Sequence, residues 1–163
     1  MTIRKAQLHD LDAIMRIYAA AKATMAENGN ATQWFGGYPS EELLRWDIAQ
    51  ERCYVEENDH GEVHAVFVFL IGPDPTYRVI HSGAWLNDGL YGTIHRLASD
   101  GREQGCFAAC LEFCSRQIAN IRIDTHRNNK TMQHLLAKHG FQECGIIEAE
   151  DGTDRIAYQR VSQ

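Results

Sequence analysis

Nothing in this sequence approaches the ~20 consecutive apolar residues of a membrane span, and its opening, MTIRKAQLHD, has no apolar signal region. These two absences predict a chain that neither enters a membrane nor is exported across one. Basic residues are scarce: 16 Lys and Arg against 22 Asp and Glu leave a net charge of −6. That deficit argues against a nucleic-acid backbone as partner and leans toward a cationic one. No C-x-x-C pair occurs and the five cysteines are odd in number. A reduced, cytoplasmic protein therefore follows more easily than a disulfide framework. Internal repeats, low-complexity runs and linkers are also missing. With 163 residues, 44% hydrophobic and 23% charged, the chain has the material for one globular domain over residues 1–163.

What is present centres on Leu90–Ile118. Leu90–Ser99 reads as a strand, Asp100–Gly105 as a tight polar turn holding Gly101 and Gly105, and Cys106–Ile118 as a helix. Phe107, Cys110, Leu111, Cys114 and Ile118 give that helix an apolar stripe. Cys106, Cys110 and Cys114 also share a face that three thiols would suit for a soft metal. Free cysteine packs as a small hydrophobe, so packing is the preferred reading. A strand turning directly into a helix leaves the first-turn N–H groups unbonded at the positive end of the helix dipole, a cradle for phosphate or pyrophosphate. Many such turns bind nothing, so the flanking chain has to supply the meaning.

Upstream, Thr2–Gln7 alternates as a strand, and Asp10 is placed to cap a helix with Leu11, Ile14, Met15, Tyr18, Ala21 and Met25 on one face. Gly29 stops it. Asn30–Tyr38 gathers Trp34, Phe35 and Tyr38 around Gly36-Gly37, as a loop folded onto the core or one lining a substrate. Ser40 can cap a second helix. Cys53–Glu57 and Glu62–Ile71 read as paired strands, the second apolar on both faces and so buried from both sides. Gly72-Pro73-Asp74-Pro75 ends it, and Tyr77–Ile80 reads as a strand edge. Downstream come a strand at Ile121–Thr125 and a helix capped by Asn128 or Asn129. Phe141–Glu148 and Thr153–Val161 then form a hairpin about Asp151-Gly152. The order predicts a mixed α/β (α+β) domain, a central sheet with helices on both faces.

This order, with Ile121–His126, Asn128-Asn129-Lys130 and the exit Lys138-His139-Gly140-Phe141, resembles the GCN5-related N-acetyltransferase (GNAT) family. The resemblance implies a mostly antiparallel sheet, acetyl-CoA as cosubstrate, no metal, and direct transfer of acetyl to a primary amine in a ternary complex. Arg102-Glu103-Gln104-Gly105-Cys106-Phe107 stands where the family has Gln/Arg-x-x-Gly-x-Gly/Ala. Arg102, Gln104, Gly105, Cys106, Phe107 and Ala108 are thereby implied contacts of the pyrophosphate. Leu97, Ala98 and Ser99 are implied contacts of the pantetheine arm, with an N–H near Leu97 or Ala98 available to a developing oxyanion. Asn129 is implied to touch the cosubstrate as well as cap its helix. Two positions depart from the family: Phe107 replaces a small residue of the loop, and Leu136 replaces a Tyr that protonates the leaving thiolate in many members.

The implied reaction needs a base. His95 is the first candidate, on the strand beside the pantetheine arm. Alternation would set Thr93, His95 and Leu97 on one face, and a core-facing Leu97 would make His95 an interior histidine instead. Tyr91 is the second catalytic candidate, and His126, at a strand end, a weaker one. Trp34, Tyr38 and Trp85 are expected at the acceptor site. The expected partners are a small-molecule amine, with a lean toward a cationic one, no nucleic acid and no membrane. Members are often homodimers, and the closing hairpin is a place where two subunits could join. Phe107 and Leu136 also support another class, a non-catalytic acyl-CoA-binding or regulatory domain. A Phe107 that blocked the cradle would leave a fold relic without cofactor.

Overall fold

The computed structural model describes residues 1–162. Seven strands form one sheet: β1 Thr2–Lys5, β2 Cys53–Glu57, β3 Val63–Ile71, β4 Gly92–Ser99, β5 Asn120–Thr125, β6 Gln142–Glu148 and β7 Asp154–Val161. Their order is β1-β2-β3-β4-β5-β7-β6. Every pairing is antiparallel except that of β4 with β5. Four helices cover it: α1 Leu11–Glu27, α2 Glu41–Ala49, α3 Cys106–Ser115 and α4 Lys130–Lys138. Among the described residues no helix is long and apolar enough to cross a membrane.

The central strand β3 faces two cores. Val66 packs with Ile14, Ile17 and Tyr18 of α1 and Leu44 of α2. Phe67 and Phe69 pack with the Cys110–Leu111–Cys114 stripe of α3 and Leu136 of α4. Alternating side chains reach opposite faces, so an apolar strand of this kind joins both layers. The three cysteines of α3 pack as the stripe predicts, with Cys110 and Cys114 fully buried.

Three local expectations are corrected. Asp10 gives no side-chain cap to α1; its carboxylate instead accepts from Gln7 N at 2.7 Å and from Arg4, closing a short 3-10 turn over Leu8–Asp10. Tyr77–Ile80 is not a strand edge. Asp74 caps a 3-10 turn at Pro75–Tyr77, accepting from Thr76 N at 2.8 Å. The pairing in this stretch comes later, as a bridge between His81 and Ile146. There the two backbones nearly touch: a Cβ on Gly83 would lie 1.9 Å from Cys144 O, so only glycine fits.

The third correction shapes the site. β3 and β4 slip register between Val66 and Val68, because Val68 faces His95 while Val66 faces Ala98. The extra residue is a bulge at Arg96, whose φ is +51°. It reverses the alternation that the sequence predicts. Leu97 packs into the α3–α4 core and Ala98 into the α1 core. His95, in register with Val68, is therefore on the α1 side, away from Leu97. A bulged strand bends and twists more strongly. β4 pairs with β5 only at Gly92–Ile121 and Thr93–Arg122, after which the two part while β5 stays on β7 through Thr125.

Candidate active site

The gap between β4 and β5 opens into a cavity of about 1220 Å³. His95, Arg96, Leu97 and Ser99 line one wall, and Ile123, Asp124 and Thr125 the other. At one end lies the turn Gly101–Gly105 with the start of α3. At the other lie α1, the Asn28–Tyr38 loop and the side chains of Trp46 and Arg52.

The cradle end has an unusual helix start. α2 and α4 carry side-chain caps, Ser40 accepting from Leu43 N at 3.1 Å and Asn129 from Met132 N at 3.0 Å. α3 begins at Gly105, φ +78°, with no side-chain cap. Among the described residues nothing accepts from the N–H groups of Cys106, Phe107 or Ala108. Bonding donors left open at a helix start and facing a cavity suit an anion. Gln104, Gly105, Cys106, Phe107 and Ala108 all line the cavity. The Phe107 ring is held between α3 and α4, edge-on to His139 at 5.1 Å and 6.4 Å from Phe141. Its bulk is committed to the core, where it is 6% exposed. Arg102 is not on the cavity wall: its guanidinium bonds Asp100, Glu62 and Val63 O, pinning the turn to the start of β3. Ala98, packed under α1, is off the wall too. Asn129 lines it, and donates from Nδ2 to Gln33 Oε1 at 3.1 Å.

The end away from α3 holds a dyad. His95 Nε2 lies 2.6 Å from Asp74 Oδ2. Burial alone would raise the Asp74 carboxyl, but its bonds to His95 and Thr76 hold it down at about 2. A carboxylate accepting from Nε2–H leaves Nδ1 with the free lone pair. Nδ1 has no partner among the described residues, and His95 lines the cavity.

Tyr91 is corrected from catalytic candidate to support. It is 8% exposed, does not line the cavity, and its hydroxyl accepts the Asp74 N–H at 2.7 Å. Trp85, expected at the acceptor site, does not line the cavity: Nε1 donates to Tyr77 O at 3.0 Å, and the Arg122 guanidinium covers its ring at 4.2 Å. Trp34 and Tyr38 do line the cavity. His126 is a buried turn residue, with Nδ1 accepting from Asn128 N at 3.0 Å and burial lowering its pKa. Leu136 is fully buried in the core. His60 and His64, four apart at the β2–β3 turn, do not form a ligand pair: the first is exposed and the second fully buried.

Sequence reasoning missed Asp74, read there only as part of a strand stop, and the side chains of two arginines, Arg52 and Arg96, on the cavity wall. It also missed Gln33, whose Oε1 accepts from Asn30 and Asn129 and whose carbonyl accepts from Arg155. These bonds draw the loop after α1 across to the start of α4 and to β7, over the gap between β4 and β5.

The sheet thus splays between β4 and β5, with an uncapped helix start at one end of the cavity and a histidine–carboxylate pair at the other. A solved acetyltransferase of the GNAT family from Streptococcus agalactiae is 32% identical, matching 99% of this chain and 95% of its own with a TM-score of 0.89. The chain belongs to the GNAT family of acetyltransferases. A GNAT acetyltransferase structure from Listeria monocytogenes (18% identity, 99% and 94% coverage, TM-score 0.72) shares the fold. So does the ribosomal-protein-S18-alanine N-acetyltransferase of Escherichia coli (21%, 99% and 94%, 0.63). No family model and no curated protein matches the chain.

Proposed function

We propose that the protein is a cytoplasmic, acetyl-CoA-dependent N-acetyltransferase acting on a primary amine of a small molecule in a ternary complex. The observation that carries this reading is the continuous cavity from the open N–H groups of α3 to His95. The cosubstrate fits the residues present: the amides of Cys106, Phe107 and Ala108 suit its diphosphate, and Phe107 is packed aside. Acetyl-CoA supplies an acetyl thioester, whose C–S bond is exchanged for the C–N bond of the product.

The residues have distinct tasks. The first-turn amides of α3 and the turn before it bind the diphosphate. β4, free of β5 beyond Thr93, offers its open edge to the pantetheine arm, and the N–H of Leu97, which lines the cavity as Ala98 does not, serves the oxyanion. His95 Nδ1 takes the proton of the attacking amine, while Asp74 fixes the tautomer and stabilises the imidazolium that results. The Gln33 bonds keep the loop over the gap, which favours a small acceptor over a folded protein.

The test is CoA release over an amine panel, for the wild type and for His95→Ala. Turnover that His95→Ala abolishes supports the reading. Confirmed CoA binding with no turnover on any amine contradicts it. That second outcome belongs to a non-catalytic acyl-CoA-binding domain, which the buried Leu136 favours because it can donate no proton to a thiolate.

A further inference from the structure

The acceptor end carries positive charge that the overall charge of −6 does not foreshadow. Arg96 and Arg52 both line it. They share one carboxylate: Arg96 Nη2 lies 2.7 Å from Asp47 Oδ2, and Arg52 Nε lies 3.0 Å from Asp47 Oδ1. Asp47 is fully buried behind them. Two guanidinium groups against one carboxylate leave one positive charge in excess.

Both arginines also have donors to spare. A guanidinium has five N–H donors. Arg96 meets Asp47 through Nη2 and, at 3.2 Å, the Tyr38 hydroxyl through Nη1, so each terminal nitrogen keeps a second N–H, while its Nε is buried without an acceptor. Arg52 uses only Nε among the described residues, its plane lying 4.1 Å over the Trp46 ring. Asp74, which lines the same cavity, is already bonded to His95 and Thr76. The bulge at Arg96 sets consecutive residues, His95 and Arg96, on the same cavity. A base and a cation thus stand one residue apart.

We propose, resting on the acetyl-transfer reading above, that the acceptor carries a carboxylate a few bonds from its reacting amine, and that Arg96 and Arg52 bind that carboxylate while the amine meets His95. A free amino acid is the compact molecule of this kind. Guanidinium groups with unused donors pair with carboxylates through strong, charge-assisted bonds. The same excess charge repels a purely cationic amine, which makes the wall a filter as well as an anchor.

The test uses matched pairs: phenylalanine with phenethylamine, leucine with isoamylamine, and methionine with 3-(methylthio)propylamine. CoA release gives kcat/KM for each, and calorimetry measures binding of each to the CoA-loaded protein. The expected result is a preference for the amino acid of about tenfold or more in every productive pair. That ratio collapses toward one in Arg52→Gln, which leaves the Arg96–Asp47 pair in place to hold the fold, and falls in Arg96→Lys. Plain amines that react as well as the amino acids overturn the proposal and leave acetyl transfer standing. Amino acids that bind in an Arg52-dependent way without turnover support the proposal and count against acetyl transfer. Neither binding nor turnover of any amino acid overturns it.

Discussion

His95 and Asp74 are joined at 2.6 Å, and in the proposed reaction each fixes what the other lacks. The carboxylate, held at about 2, stays ionised at every working pH and so always accepts from Nε2. His95→Ala is expected to lower kcat by about 10²–10⁴ while leaving CoA affinity near the wild-type value, read by steady-state kinetics and calorimetry. Asp74→Asn should also lower kcat, by less, since the imidazole survives but its tautomer is no longer set. Equal loss of CoA affinity in both would mark the pair as structural. A different residue bears on stability. Glu56 on β2 is fully buried, and neither carboxylate oxygen has a partner. Burial moves its pKa from 4.5 to about 7. The folded state therefore binds the extra proton between those values, and stability falls as pH rises through them, by about 3 kcal/mol from this group. His64, also fully buried, has its pKa lowered and works in the opposite sense. The comparison that isolates Glu56 is thus Glu56→Gln against wild type in denaturant melts. The gap should move in the variant's favour from about pH 5 to about pH 8. A gap independent of pH would contradict the assignment.

At the scale of elements, the turn into α3 and the bulge in β4 do most to build the site. Gly105 opens α3 at φ +78°, with nothing closer than the Met1 methyl, 4.0 Å from where a Cβ would stand. Gly105→Ala therefore meets backbone strain and no clash, and should cost about 1 kcal/mol of stability with weaker CoA binding. Unchanged melts and affinity would show that the turn tolerates side chains and that the diphosphate does not depend on a left-handed Gly105. Most elements were legible in the sequence, because alternation and helical spacing report burial directly. β3 with apolar residues on both faces, the α3 stripe and the Asn129 cap all stand where the pattern puts them. The bulge was not legible, because it exists only in the pairing of β4 with β3, and local alternation placed His95 and Leu97 on one face. The 72–91 connection misled for a related reason. Its aromatics, Tyr77, Trp85 and Tyr91, look alike as wall or core residues until the Gly83–Gly145 contact packs them inward.

For the whole molecule, the site is an assembly from distant segments, which explains what the chain order hid. Asp74 and His95 are separated by 21 residues, and Asp47 and Arg96 by 49. Neither pair has a local signature. The two halves of the sheet, β1–β4 and β5–β7, meet at only two residue pairs and then part. α3 and the loop after α1 close the opening from opposite sides. A cosubstrate lying in that gap would tie the halves together, so binding and stability should be linked. The central claim is that bare amides at the start of α3 grip the diphosphate of CoA. Calorimetric titration with CoA, set beside S-acetylpantetheine, which has the thioester arm but no nucleotide diphosphate, tests it most directly. Saturable one-to-one binding of CoA is expected, with an affinity at least about a hundredfold lower, close to 3 kcal/mol, for the fragment. Equal affinities, or no binding of CoA at all, would contradict it.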